Sequence, residues 1–242
     1  MQSHALSGKV VLVTGASRGL GRDLALRLRD AGARVHAVAR HAGRRRELAA
    51  ELGELCVHGG DLNLSDTPRQ VVQGVLHAEG ALHALVHAVG EYEHASLAET
   101  GFERFEELMA SNLFQAVRLV DAARDGLREV QGQVLFYGAA GLASLRGRRS
   151  TGAYTTAKTA LLAYMRSLAL EEAPHGVRVN MVSPGIAPHE GAAPDTLDPG
   201  AAAWVPMGRT AELAEVTGGA MYLLGAAHVT GQNLEVAGGF LL

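Results

Sequence analysis

An apolar run at residues 9–14 leads straight into Thr14-Gly15-Ala16-Ser17-Arg18-Gly19-Leu20-Gly21, and a helical pattern follows. The run reads as a buried strand. Residues 20–31 carry Leu24, Leu28 and Ala31 on one side of a helix. In that setting the glycines permit a tight turn and the close approach of a pyrophosphate. The helix N-terminus adds free N–H groups and the positive end of its dipole. A strand before and a helix after distinguish such a turn from an ordinary glycine-rich connection. Gly15, Ser17, Arg18, Gly19, Leu20 and Gly21 are therefore the expected cradle for a dinucleotide.

The alternation continues along the chain. Residues 34–40, 55–60, 82–89, 133–137, 178–183 and 232–236 read as further strands. Residues 44–52, 68–79, 102–129, 152–172 and 213–224 read as helices. Strands alternating with helices imply right-handed crossovers and parallel pairing. The expected fold is α/β: a single Rossmann-type, doubly wound parallel sheet of about seven strands with helices on both faces, one domain over residues 1–242. Hydrophobic residues make up 48% of the chain, enough for the core such a sheet needs. Residues 186–206 break the pattern, being rich in Pro, Gly, Ala and Asp with a lone Trp204. A loop of that length in a compact domain suggests a substrate lid.

Composition narrows the partners. A formal charge of −3 argues against a nucleic-acid-binding surface. Cys56 is the one cysteine, so no intramolecular disulfide is possible. No stretch reaches the roughly 18 apolar residues of a membrane span. Residues 1–8 are short and polar, unlike a signal peptide, so a cytoplasmic protein with a small-molecule substrate is expected. The histidines show no metal-ligand spacing, and no metal site is expected.

The second strand ends Val38-Ala39-Arg40-His41. A site for NAD usually places an acid here, to bind the ribose 2′-hydroxyl. Ala39 removes that repulsion and Arg40 supplies a cation, with Arg18 as a second. Both suit a 2′-phosphate, so the expected cofactor is NADP(H). Tyr154 and Lys158, four apart on a predicted helix, share a face. An ammonium beside a phenol favours the phenolate. Such a pair can protonate a carbonyl oxygen or deprotonate an alcohol.

With these residues in place, the sequence resembles the short-chain dehydrogenase/reductase family along nearly its whole length. The further matching segments are Asp61-Leu62, Asn112, Tyr154-Thr155-Thr156-Ala157-Lys158, Val177-Arg178-Val179-Asn180, Ser183-Pro184-Gly185, Pro206-Met207-Gly208-Arg209 and the terminal Gly238-Gly239. The resemblance implies that Tyr154 is the general acid. Lys158 would hold the nicotinamide ribose and lower the Tyr pKa, and Asn112 would anchor a water in a proton relay. It further implies that Asp61 and Leu62 contact adenine, and that His87, Gly90, Pro184, Gly185 and Ile186 line the cofactor. Family members are commonly dimers or tetramers, which implies a homodimer or homotetramer here.

Three segments depart from the family pattern. His87-Ala88-Val89-Gly90 replaces Asn-Asn-Ala-Gly, and His87 is read as a packed structural residue. Gly138 stands where the family's substrate-binding Ser falls, with Ser144 or Ser150 as candidate replacements in a basic loop carrying Arg146, Arg148 and Arg149. Pro188 and His189 replace a Thr that binds the nicotinamide amide. The leading expectation is an NADPH-dependent reductase of a carbonyl on a small organic or acyl-carrier-bound substrate. The alternatives are a C=N or C=C reductase of pteridine or enoyl-thioester type, and an NADP(H)-binding sensor or scaffold with little catalysis. Loops 91–97, 142–151 and 186–206 would set the substrate.

Overall fold

A computed structural model describes residues 6–187 and 200–241. Seven strands form one parallel sheet in the order β3-β2-β1-β4-β5-β6-β7. They are β1 (Val10–Thr14), β2 (Arg34–Ala39), β3 (Val57–Gly59), β4 (Ala84–His87), β5 (Gln133–Tyr137), β6 (Arg178–Pro184) and β7 (Asn233–Val236). Parallel strands need long crossovers, and helices supply them. These are α1 (Gly19–Asp30), α2 (Ala42–Leu52), α3 (Thr67–Glu79), α4 (Leu97–Met109), α5 (Gln115–Glu129), α6 (Gly152–Glu172) and α7 (Leu213–Gly225).

Strand side chains alternate between faces, and both faces are covered, so the central strands are largely apolar. Val10 and Leu12 of β1 pack with Val71 and Val75 of α3, Leu119 of α5 and Leu161 of α6. Val11 and Val13 turn to the other face, against Leu24 and Leu28 of α1, Leu48 of α2 and Val216 and Ala220 of α7. The two core layers thus lie either side of the sheet.

Three expectations are adjusted. The predicted strand at 55–60 begins with a 3₁₀ turn, Glu54–Cys56, and only Val57–Gly59 pairs with β2. The helical region expected at 102–129 begins five residues earlier, because α4 opens on a capping box of Ser96 and Glu99 and bends at Gly101, where φ is +64°. The same run is interrupted by a π turn, Ala110–Phe114, between α4 and α5. The segment read as a lid lies mostly outside the described residues, Pro188 and His189 with it. Its described end includes a 3₁₀ turn, Ala201–Trp204, with Trp204 59% exposed.

Candidate active site

The order of the sheet reverses direction between β1 and β4, and the chain leaves both strands at the same edge. Ligands of open parallel sheets bind at such a switch point, beyond the strand C-termini. The glycine turn lies there. Gly15 has φ +72°, and a Cβ on it would sit 2.4 Å from the Ala88 carbonyl oxygen. A Cβ on Gly21 would sit 2.4 Å from the Gly15 carbonyl oxygen. Glycine at both positions lets α1 start hard against β1 and the segment after β4. Arg18 is the N-cap of α1, its side chain makes no capping bond, and no acid occupies the first turn. The first amides of α1 are thereby left for an anion. Arg18 and Arg40 are both exposed, while Ala39 is buried.

Asp61 follows β3, where its carboxylate accepts from the Asn63 amide at 3.0 Å. Leu62 and His87 are core residues, 4% and 1% exposed. His87 Nδ1 pairs with Thr14 Oγ1 at 3.0 Å. Burial, then the nearby Lys158 charge, pull the His87 ring down to about 3, so it stays neutral. Pro184 ends β6 and its carbonyl accepts from Ala140 N–H. Gly185 packs on Ala237, and the Ile186 carbonyl accepts from Ala211 N–H.

Tyr154, Lys158 and Asn112 converge from α6 and the π turn. An extra residue in a helix turn re-aims a side chain. Asn112 is fully buried, its amide donating to Glu91 O at 2.9 Å and Leu108 O at 3.0 Å. Its Oδ1 is buried without a hydrogen-bond partner. A Cβ on Gly90 would lie 2.2 Å from Asn112 Oδ1 and 3.0 Å from Lys158 Nζ, so only glycine lets these two groups face one another there. Lys158 is 4% exposed and its ammonium donates to Tyr137 O at 2.8 Å. Burial pulls that ammonium down to about 8.

The Tyr154 phenol departs from expectation. Lys158 Nζ is 5.9 Å from the centre of its ring and bonded to Tyr137 O. Burial, reinforced by Tyr92, pushes the phenol above its ordinary value. The hydroxyl therefore stays protonated at neutral pH, the form that donates a proton.

Gly138 has a packing reason. A Cβ there would sit 2.4 Å from both Met181 Sδ and Ser183 Oγ of β6. Ser144 is exposed and donates to Gly141 O at 3.0 Å, a local turn bond. Three residues at the candidate site had no role assigned from the sequence, although Thr14 lies in the glycine turn and Tyr92 in loop 91–97. Tyr137 acts through its carbonyl, which no side-chain pattern reveals. Thr14 pairs with His87. Tyr92 meets Tyr154 edge to face, with centroids 5.0 Å apart at 76°; its position two residues beyond Gly90 was the available signal.

Among known families, the one described as enoyl-(acyl carrier protein) reductase matches residues 15–241. The L-fucose dehydrogenase of Mus musculus is 33% identical over 96% of this chain and 88% of its own. The 3-oxoacyl-[acyl-carrier-protein] reductase FabG of Vibrio cholerae is 30% identical over 98% of this chain and 99% of its own. The Pseudomonas aeruginosa RhlG/NADP active-site complex superposes with a TM-score of 0.88 at 29% identity, covering 100% of both chains. The sheet order, the glycine turn at its switch point and these likenesses over almost the full length agree: the chain is an oxidoreductase of the short-chain dehydrogenase/reductase family.

Proposed function

We propose that the chain is an NADPH-dependent reductase of a carbonyl, with Tyr154 as general acid. The observation that carries this reading is the convergence of Lys158 Nζ from α6 and Asn112 Oδ1 from the π turn at Gly90, with the Tyr154 ring centre 5.9 Å from the same ammonium. The residues present fit NADP(H): an uncapped helix N-terminus after Gly15, no acid at the end of β2, and two exposed arginines. Gly15, Ser17, Arg18, Gly19, Leu20 and Gly21 would hold the pyrophosphate, Arg18 and Arg40 the 2′-phosphate. Asp61 and Leu62 would meet the adenine. Gly90, Pro184, Gly185 and Ile186 would meet the nicotinamide half, with His87 beneath them. The RhlG structure in complex with NADP supports this choice.

When bound, the cofactor supplies a hydride to the carbonyl carbon. Tyr154 gives its phenolic proton to the carbonyl oxygen, yielding an alcohol and a phenolate. Lys158 stabilises that phenolate by charge. Asn112 Oδ1, unpartnered inside the protein, accepts from the group that returns the proton. With no hydroxyl at 138, the substrate carbonyl has Tyr154 as its donor. A mutated donor of this kind typically costs about 100- to 1000-fold in rate, so slow turnover is expected.

The relatives support two carbonyl classes, sugars and acyl-carrier-bound 3-oxoacyl chains. A second reading, C=C reduction of an enoyl thioester, is favoured by Gly138 and by the description of the matching family. NADPH oxidation against ketones, 3-oxoacyl thioesters and enoyl thioesters decides between them: turnover of enoyl thioesters alone would replace the carbonyl reading. Charge-assisted bonds contribute about 1.5–3 kcal/mol. Arg40→Ala should therefore weaken NADPH tenfold or more and leave NADH unchanged. Equal affinity of the unaltered protein for both would contradict NADP(H). The protein is further proposed to be cytoplasmic and a homodimer or homotetramer; no helix among the described residues is long and apolar enough to cross a membrane.

A further inference from the structure

The segment between β4 and α4 is fixed at many points. Arg104 of α4 bonds Glu91 at 2.6 Å, Glu93 at 3.0 Å and Glu107 at 2.7 Å. Thr100 Oγ1 donates to the other Glu93 oxygen at 2.9 Å. The Glu91 N–H donates to Ser111 Oγ at 3.4 Å, and its carbonyl accepts from Asn112 Nδ2 at 2.9 Å. Ala95 bridges to Thr151, just before α6. Between the two anchored glutamates stands Tyr92. It is 56% exposed, and its ring meets Tyr154 edge to face with centroids 5.0 Å apart. An aromatic side chain held from both sides is thus presented to solvent beside the phenol that donates the proton.

We propose that Tyr92 is a specificity-determining residue, a stacking surface selecting substrates whose reacting carbon lies in or next to a ring, and that Arg104 is the residue positioning it. The assignment rests on Tyr154 being the proton donor. A fixed aromatic face gains most from a flat or C–H-rich partner that is itself rigid. An open chain must give up rotamer freedom to make the same contact, and gains less. The clamp matters for the same reason. One guanidinium shared by three carboxylates orders a loop that would otherwise carry Tyr92 through many positions, so the cost of ordering is met before the substrate arrives.

The test is calorimetric titration of the full chain with its cofactor bound, in pairings that cannot react. Acetophenone and 2-octanone, matched in carbon number, are titrated with NADP⁺ present, and an aldopyranose with NADPH present. Tighter binding of a ring ligand than of 2-octanone is expected, and whichever ring is preferred identifies an aromatic or a sugar substrate. Tyr92→Ala should reduce that preference about tenfold, Tyr92→Phe should restore most of it, and Arg104→Gln should reduce it by a smaller factor. No ring preference in the unaltered protein, or equal weakening of ring and chain ligands by Tyr92→Ala, overturns the assignment. Because these titrations read binding alone, they stand apart from turnover: a Tyr154→Phe variant as active as the parent sinks the proton-donor reading without touching them.

Discussion

A serine introduced at Gly138, the position read from the sequence as that of the family's Ser, would place its Cβ 2.4 Å from Met181 Sδ and Ser183 Oγ. Overpacking of this kind costs about 1–3 kcal/mol. Gly138→Ser is therefore expected to lower the unfolding midpoint without raising activity; a stable, faster variant would show that the gap at 138 is not enforced by β6. Gly90→Ala is expected to cut kcat roughly 100-fold, since its Cβ displaces Asn112 or Lys158 and misplacement by about 1 Å has that effect. Circular dichroism would show the fold kept. Lys158 loses its charge near pH 8. Reduction, which uses the charged form, should fall as pH rises through that value, and a pH–rate profile flat to pH 10 would contradict the role given to it. That Tyr154 and Lys158 share a helix face was legible from their i, i+4 spacing, while their roles came from the family resemblance. Gly138 was visible as a gap but not explained, because its neighbours lie on a strand more than forty residues away. The upward shift of the Tyr154 phenol was not legible, since its burial and its contact with Tyr92 depend on a loop path.

Among the elements, α5 and α6 are joined through a carboxylate inside their contact. Glu172 has a side chain 4% exposed and accepts from Arg128 at 2.8 Å and 2.9 Å and from Arg124 at 2.7 Å. Those bonds, Arg128 foremost, hold its carboxyl below the ordinary range. A depressed carboxylate stabilises the fold above its unfolded pKa, about 4.3. That contribution is lost as pH falls through the folded value. Because both arginines reach solvent, Glu172→Gln should cost only about 1–2 kcal/mol at pH 7, near the size of charge-assisted bonds. The difference should shrink as pH falls below about 4.3, as urea unfolding along a descending pH series would show. The opposite edge holds a different device: His36 bonds His58 at 2.9 Å and Glu79 at 2.9 Å. Burial and His36 hold His58 below its ordinary value, so stability there is present above about pH 6.5 and declines as pH falls. His58→Gln should flatten that slope. The helices and strands were readable from apolar periodicity. The π turn was not, because one extra residue barely disturbs the pattern while re-aiming Asn112.

For the molecule as a whole, sequence alternation was enough to indicate a parallel sheet, since each crossover needs a helix. It left the strand order and the site's shape to long-range contacts that no local pattern carries. Leu97, Phe102 and Leu170 of α4 and α6 are 60%, 75% and 80% exposed. An assembly of two or four chains would cover such surface, so light scattering should give a multiple of 25.3 kDa, reduced by Phe102→Lys or Leu170→Lys. A monomer at micromolar concentration would remove the assembly from the account. The central claim is that this fold performs a reduction with Tyr154 as its acid. Its most direct test is NADPH oxidation by the parent protein and by Tyr154→Phe across ketones and 3-oxoacyl thioesters, with NADPH affinity measured alongside. Unchanged NADPH binding with turnover at least 100-fold lower in the variant is the predicted result. Equal turnover by both proteins, or tight NADPH binding with no substrate consumed by either, would contradict it.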